Sequence, residues 1–155
     1  MKVRTAARKS SFAFLAALML TFAVGGVAYA AQYADGAWAY KSAGVLNYAS
    51  RSSVFADHPI AQGIQSIKVT NAAMPAGYGG VLARAYNTNG RIVGHTALLY
   101  NPVAYGFDAQ YQVVAFVANT DLGSTRCMGE SYAYNSGTRQ YEIFFPPASP
   151  YVQFM

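Results

Sequence analysis

The sequence feature that most constrains this protein is the alternation of side-chain character from one residue to the next, as expected for the two sides of an extended strand. The clearest alternating runs lie at 80–87, 110–118 and 139–145, and a shorter one lies at 64–70. In such runs successive side chains point to opposite sides, so one side of a strand can be buried. No window sustains a 3.6-residue apolar repeat. We therefore expect strands throughout, with short helices at most.

Turn-forming residues separate these runs. Four reversals are indicated, at Ser42-Ala43-Gly44, Asn89-Gly90, Leu122-Gly123 and Ser136-Gly137. Glycine, and to a lesser degree asparagine, tolerates the positive φ values that tight hairpin turns require. Pro146 and Pro147 lack an amide hydrogen, so strand pairing is expected to stop before them.

Two of the turns belong to one short motif that occurs twice, AYNTNGR at 85–91 and AYNSGTR at 133–139. AYKSAG at 39–44 begins in the same way. Each motif reads as a strand end, a turn and a strand start, and shared turn chemistry explains the likeness as well as duplication does. Seven or eight short strands with close turns predict an all-β fold, either an antiparallel β-sandwich or a small barrel.

The N-terminal thirty residues have the pattern of a secretory signal peptide. Lys2, Arg4, Arg8 and Lys9 precede the apolar run 12–24, and Ala-Tyr-Ala at 28–30 offers small residues for cleavage after Ala30. The alternative is a retained anchor, although a bilayer-spanning helix needs about 20 apolar residues. We expect residues 31–155 to form one exported bacterial domain without a transmembrane segment.

Charge excludes two classes of function. The whole chain has eleven basic and six acidic residues, and four of the basic ones lie in the predicted signal peptide. The remaining chain is nearly neutral and has no basic stripe, so nucleic-acid binding is not expected. A lytic cationic helix is disfavoured for the same reason.

Few side chains are available for catalysis or metal binding. The only cysteine is Cys127, and the only histidines are His58 and His95, so neither a disulfide nor a metal or other cofactor is predicted. Two catalytic hypotheses remain. Cys127 beside Arg126 is a candidate nucleophile, and Glu130 with Glu142 is a candidate glycosidase pair. We expect a protein that is not an enzyme and keep a small hydrolase as an alternative.

Aromatic residues are more informative. Tyr33, Trp38, Tyr40 and Tyr48 cluster near the predicted mature N-terminus, and three more follow at Tyr132, Tyr134 and Tyr141. Exposed tyrosine and tryptophan bind sugar rings or protein partners through stiff amphipathic surfaces. Strand tyrosines also pack across neighbouring strands, so both interpretations stay open here.

One stretch, GGVLARAYNTNGRIVGHTALLYN at 79–101, resembles the C-terminal part of the lactococcin 972 family of secreted bacteriocins. The shared pattern falls on Gly80, Val81, Ala83, Arg84, Ala85, Gly90, Arg91, Tyr100 and Asn101. The likeness extends loosely upstream to about residue 36, whereas everything from Pro102 onward lies outside it. The resemblance implies an exported β-sandwich that binds the cell envelope and interferes with wall synthesis.

The predicted function is that of a secreted, bacteriocin-like protein that binds a bacterial cell-envelope component, a wall precursor or a polysaccharide. The candidate binding residues are Trp38, Tyr40, Tyr48, His58, Arg84, Tyr86, Arg91 and His95. A non-toxic carbohydrate- or surface-binding module is the first alternative, and the small hydrolase is the second.

Overall fold

The computed structural model describes residues 31–57, 60–117 and 123–153. Within these ranges the chain forms eleven β-strands and no helix. The strands are β1 (Gln32–Asp35), β2 (Ala39–Ala43), β3 (Leu46–Asp57), β4 (Ile60–Val69), β5 (Gly79–Asn87), β6 (Ile92–His95), β7 (Leu99–Tyr100), β8 (Tyr111–Val117), β9 (Ser124–Asn135), β10 (Gln140–Phe144) and β11 (Val152–Gln153). The all-β prediction is confirmed. The strands outnumber the expected seven or eight because several are short pieces along the sheet edges.

The strands form two antiparallel sheets that pack face to face as a β-sandwich. Sheet I has the order β1-β3-β4-β8, with β2 also paired to β3. Sheet II has the order β10-β9-β5-β6, with β11 on β9 and β7 on β5. As expected from its prolines, β10 ends at Phe144, and the chain returns as β11 to the far end of β9.

An irregularity divides the outer edge of sheet I. Asp35 pairs with Ser53 and Ala39 pairs with Ser50, so three residues of the edge face only two of β3. The extra residue makes a bulge over 36–38, which separates β1 from β2. Bulges re-aim side chains, and Trp38 lies in this one.

The core lies between the sheets, and the predicted alternation describes it well. Val81, Ala83 and Ala85 of β5 are buried, and so are Val113 and Ala115 of β8. The residues between them in each strand face outward. Apolar side chains from both sheets meet in one cluster.

A buried polar network also joins the sheets, and sequence patterning did not indicate it. Gln65 of β4 donates hydrogen bonds to Ser50 (2.8 Å) and to Ser131 of sheet II (3.0 Å), and it accepts one from Ser52 (2.7 Å). A Cβ at Gly129 would collide with the Gln65 amide, so glycine makes room for it. Because each of these buried groups has a partner, the network is compatible with a stable core.

The two full Ala-Tyr-Asn motifs form equivalent hairpin ends. In both, alanine faces the core, tyrosine lies outside and the asparagine side chain accepts hydrogen bonds from the turn. Asn87 accepts from the amides of Asn89 (3.1 Å) and Arg91 (2.9 Å), and Asn135 accepts from Gly137 (2.9 Å). The third Ala-Tyr motif differs, because it begins β2 instead of ending a strand.

The predicted turns are present where the structure describes them. Gly44 and Gly90 have φ values of 62° and 76°, as tight turns require. In the turn between β9 and β10 the positive φ, 57°, falls on Arg139 instead of on Gly137. Leu122 lies outside the described residues.

Candidate functional site

The outer side of sheet II carries a continuous group of tyrosines. Their ring centroids form a chain in the order Tyr132, Tyr100, Tyr141, Tyr134 and Tyr78, with successive separations of 6.5, 4.8, 5.2 and 4.6 Å. We call these five residues the tyrosine face. They come from β7, β9, β10 and the residue before β5. The pairing of sheet II brings four of them together, and a hydrogen bond from the Tyr134 backbone amide to the Tyr78 carbonyl (2.9 Å) adds the fifth.

Hydrogen bonds within the protein hold two of these rings in place. The Tyr132 hydroxyl donates to Glu130 Oε2 at 2.9 Å, and the Tyr141 hydroxyl donates to the Gly77 carbonyl at 2.6 Å. Burial, followed by the bond to Glu130, raises the pKa of Tyr132. Burial also raises the pKa of Tyr141. Both phenols therefore stay protonated and keep donating at neutral pH.

A glycine positions a third ring. Gly80 pairs with Tyr100 across β5 and β7, and an ideal Cβ at this glycine would lie 2.7 Å from a Tyr100 ring carbon. The ring therefore packs directly on the backbone of β5. Such rigid placement reduces the entropy that a ligand must remove on binding.

An ion pair borders the tyrosine face. Arg84 donates from Nη1 to Glu130 Oε1. The hydrogen bond from Arg84 is the main cause of a lowered pKa for Glu130, and the same bond raises the pKa of Arg84. Both groups are charged at neutral pH and largely cancel each other. The surface that they border is accordingly aromatic, polar and close to neutral.

The tryptophan on the outer side of sheet I is placed differently from these tyrosines. Arg51 and Lys68 both lie over the Trp38 ring, at 4.7 and 4.6 Å from its centroid. Each cation also has a carboxylate partner, Asp35 for Arg51 and Asp108 for Lys68 (2.7 Å). Trp38 is half-buried and already engaged in cation–π contacts. Its indole packs on the outer side of sheet I and is less available to a ligand than an uncovered ring would be.

The predicted binding residues do not form one site. Arg84, Tyr86 and His95 lie on the outer side of sheet II, where Arg84 pairs with His95 in the register. Trp38 and Tyr40 belong to sheet I, on the other side of the molecule. Arg91 is exposed beside the β5–β6 turn, Tyr48 lies in the core, and His58 lies outside the described residues.

Tyr48 is a core residue, and its prediction as a surface contact is wrong. Its side chain is 0% exposed, and its hydroxyl donates to the Tyr134 carbonyl at 3.0 Å. Burial raises its pKa strongly. Tyr48 therefore links sheet I to β9, the strand that carries Tyr132 and Tyr134 of the tyrosine face. It contacts β9 from the core side.

Cys127 does not suit the role of nucleophile. It is buried in the core, and its thiol contacts the Ile64 carbonyl at 3.4 Å. Burial raises its pKa to about 12, so the reactive thiolate is scarcely populated at neutral pH. Arg126, proposed to activate the thiol, stacks instead on Tyr151.

Glu130 and Glu142 do not form a glycosidase pair. Glu142 shares the inward side of sheet II with Ala133, its partner in the register, and forms an ion pair with Lys41 at 3.2 Å. Glu130 projects outward beside Tyr132. Hydrogen bonding lowers the pKa of both carboxyl groups, whereas a general acid needs a raised one.

In the described ranges 31–57, 60–117 and 123–153, no group of three or more histidine, cysteine or acidic residues could hold a metal ion. In the same part, no helix is long and apolar enough to cross a membrane.

Sequence reasoning missed the tyrosine face as a unit. Tyr132, Tyr134 and Tyr141 were noted as aromatic residues, but Tyr78 and Tyr100 were not connected with them. A local signal was present in SYAYN at 131–135, where alternate tyrosines must share one side of the strand. The contribution of β7 depends on sheet pairing, which the sequence did not reveal.

Comparison with known proteins assigns no family to this arrangement. No protein-family model matches the chain, and no curated protein matches it. The resemblance to the lactococcin 972 family therefore stays a prediction from the sequence.

Proposed function

We propose that this protein is an exported, non-catalytic binding protein of the bacterial cell envelope, and that it contacts an envelope polysaccharide through the tyrosine face. The observation that carries the proposal is the chain of five adjacent tyrosine rings on one sheet surface. Aromatic rings of this kind offer apolar area at low entropic cost together with polar edges.

The chemistry of the surface favours a neutral ligand rich in hydroxyl groups. A sugar ring has an apolar face for stacking and hydroxyls at its rim. The phenol oxygens of Tyr132 and Tyr141 donate internally but keep lone pairs that can accept from such hydroxyls. Arg84 and Glu130 neutralise each other, so the surface offers little attraction to a highly charged polymer.

Growth inhibition is the second part of the proposal and rests on different support. The bacteriocin-like activity follows from the resemblance at 79–101, which includes Arg84 and Tyr100 of this surface. Export follows from the signal-like pattern of residues 1–30, which lie outside the described structure. A binding module without toxicity would use the same surface.

The test measures retention of the purified protein on insoluble bacterial cell walls. Tyr100→Ala combined with Tyr141→Ala removes the two exposed central rings, and we expect retention to fall at least about tenfold. The matched control is Tyr33→Ala, an exposed tyrosine on sheet I. Equal retention of the double variant and the wild type would refute the proposed surface.

The two parts of the proposal separate in a growth assay on Gram-positive bacteria. We expect the wild type to inhibit growth and the double variant to lose inhibition together with retention. Retention without inhibition would assign the protein to the non-toxic binding class and remove the bacteriocin part alone.

A further inference from the structure

A second surface, at one end of the sandwich, has a different character from the tyrosine face. Four connections meet there: 44–45, 70–78, 101–110 and 136–139. The register brings them together, because the end of β4 lies beside the start of β3, and β8 starts beside the end of β4. In sheet II the start of β5 lies beside the end of β9.

Large apolar side chains are exposed at this end. Val45, Val103 and Phe107 are 77%, 59% and 70% exposed, although each lies in a turn or loop where polar residues are usual. We call these three residues the apolar tip. The segments around it, 71–77 and 101–107, contain no charged residue.

Three carbonyl groups beside the apolar tip accept hydrogen bonds from asparagine side chains. Asn71 Nδ2 donates to the Val45 carbonyl at 2.9 Å. Asn101 Nδ2 donates to the carbonyls of Val103 (2.9 Å) and Pro75 (2.7 Å). These three carbonyls are paired within the protein, which lowers the cost of placing them near an apolar medium.

The two long loops are also tied together. Met74 and Tyr105 exchange amide-to-carbonyl hydrogen bonds of 2.8 and 2.9 Å, and the Tyr105 ring packs on Tyr111 at 5.7 Å. Both tyrosines are partly buried and pack against the core, so they hold the 101–110 connection against the sandwich. The nearby charge of Asp108 is paired with Lys68, and Arg139 is exposed at the same end.

The hairpin turn at the other end of sheet II is polar, although Ile92 directly after it is 45% exposed. Thr88, Asn89, Gly90 and Arg91 are all exposed there, and the sequence between β5 and β6 is wholly polar apart from the glycine. Among the described connections, those that surround the β9–β10 turn include the apolar tip, whereas the β5–β6 turn is polar.

We propose that this end of the sandwich docks on a lipid bilayer surface, with the apolar tip entering the headgroup region. Three projecting side chains are too few for a stable protein interface, which buries roughly 800 Å² per partner. A shallow bilayer contact needs only a small apolar area, and anionic lipid would add an attraction to Arg139. The apolar tip contains none of the residues of the tyrosine face, and the inference does not rest on the proposed function.

The first experiment measures sedimentation of the purified full chain with vesicles of phosphatidylcholine and phosphatidylglycerol in equal parts. Phe107→Asp is expected to lower the vesicle-bound fraction about tenfold, because burial of one phenylalanine is worth at least the free energy of a tenfold change. Thr88→Asp adds the same charge at the polar hairpin and is expected to leave binding unchanged. Equal binding of both variants would overturn the proposal.

A local probe separates this contact from any binding by the apolar run at 12–24. An environment-sensitive dye is attached at Val103→Cys or, as the control, at Asn89→Cys; Cys127 is buried and does not compete for the dye. We expect nitroxide-labelled lipid to quench the dye at position 103 and not at 89. Equal quenching at both positions, or at neither, would contradict end-on docking.

A second copy of the chain is the competing occupant. If the apolar tip joins two copies, the protein elutes as a dimer, Phe107→Asp converts it to a monomer, and the dye at position 103 responds to protein concentration without lipid. That result would overturn bilayer docking. Cell-wall retention is a separate measurement, so failure here leaves the proposed function untouched.

Discussion

The outer sides of the two sheets both carry aromatic residues, and the contrast lies between Trp38 on sheet I and the tyrosine face on sheet II, since Tyr33 and Tyr40 of sheet I are exposed. On sheet I, Arg51 and Lys68 lie over the Trp38 ring. On sheet II, the cation that stacks on an aromatic ring is Arg126, which lies over Tyr151 and not over the tyrosine face. Aromatic content alone therefore does not identify a binding surface. The positions of cations on neighbouring strands decide whether a ring is engaged internally or left available.

Small residues on sheet I explain why the indole lies where it does. Ala49 and Ser66 face outward between Arg51 and Lys68 in the register, yet both are buried. We infer that the Trp38 ring covers them. The bulge at 36–38 lets the Trp38 side chain lie across the outer side of sheet I, where both cations contact its ring. Trp38 then has a structural role, in contrast to the tyrosine face.

The largest expected effect tests that contrast directly. Trp38→Ala should lower the free energy of unfolding by about 2 kcal/mol, because buried ring area and two cation–π contacts are lost. Cell-wall retention should not change. Urea denaturation and the retention assay check the two parts. Tyr40→Ala, an exposed aromatic variant on the same side, is the stability control. If the variant lost cell-wall retention and kept its stability, Trp38 would have a binding role and the proposed contrast with the tyrosine face would be wrong.

A smaller effect is expected from Gly80→Ala on sheet II. The added methyl group would push the Tyr100 ring from its position, which should cost about 1 kcal/mol of stability and weaken cell-wall retention roughly threefold through lost preorganisation. Gly106→Ala is the matched control, because a Cβ there meets nothing within 4 Å. Unchanged retention with a displaced Tyr100 ring, followed by NMR, would show that ring position does not matter.

The smallest effect concerns the ion pair that borders the tyrosine face. The pKa of Glu130 is lowered from 4.5 in the folded protein. The stability that its bonds contribute is therefore present above the unfolded value and is lost as pH falls through the lowered one. The pair is partly exposed, so its contribution should stay below about 1 kcal/mol.

Glu130→Gln removes this titration and should flatten the dependence of unfolding free energy on pH below about pH 5. Urea unfolding at a series of pH values compares Glu130→Gln with the wild type. An unaltered curve for Glu130→Gln would mean that the bonds to Arg84 and Tyr132 contribute nothing to stability.

The longest strand of sheet I shows where sequence reasoning stopped. The strand β3 was not predicted beyond its opening turn, because serines occupy inward positions such as Ser50 and Ser52 where aliphatic residues would mark a strand. Their burial is possible only because Gln65 and Ser131 supply hydrogen-bond partners from other strands. A pattern of apolar and polar residues along one strand does not indicate hydrogen-bond partners that are distant in sequence.

The sequence by itself determined the all-β fold, the inward sides of β5 and β8, the turns at Gly44 and Gly90, and the stop before Pro146. These features depend on side-chain period and on local backbone preferences, which act between close neighbours in the chain. Only the tertiary structure decided that Tyr48 is buried, that Trp38 is covered by cations and that five tyrosines form one surface. Those outcomes depend on contacts between strands, and sheet pairing sets which distant residues meet.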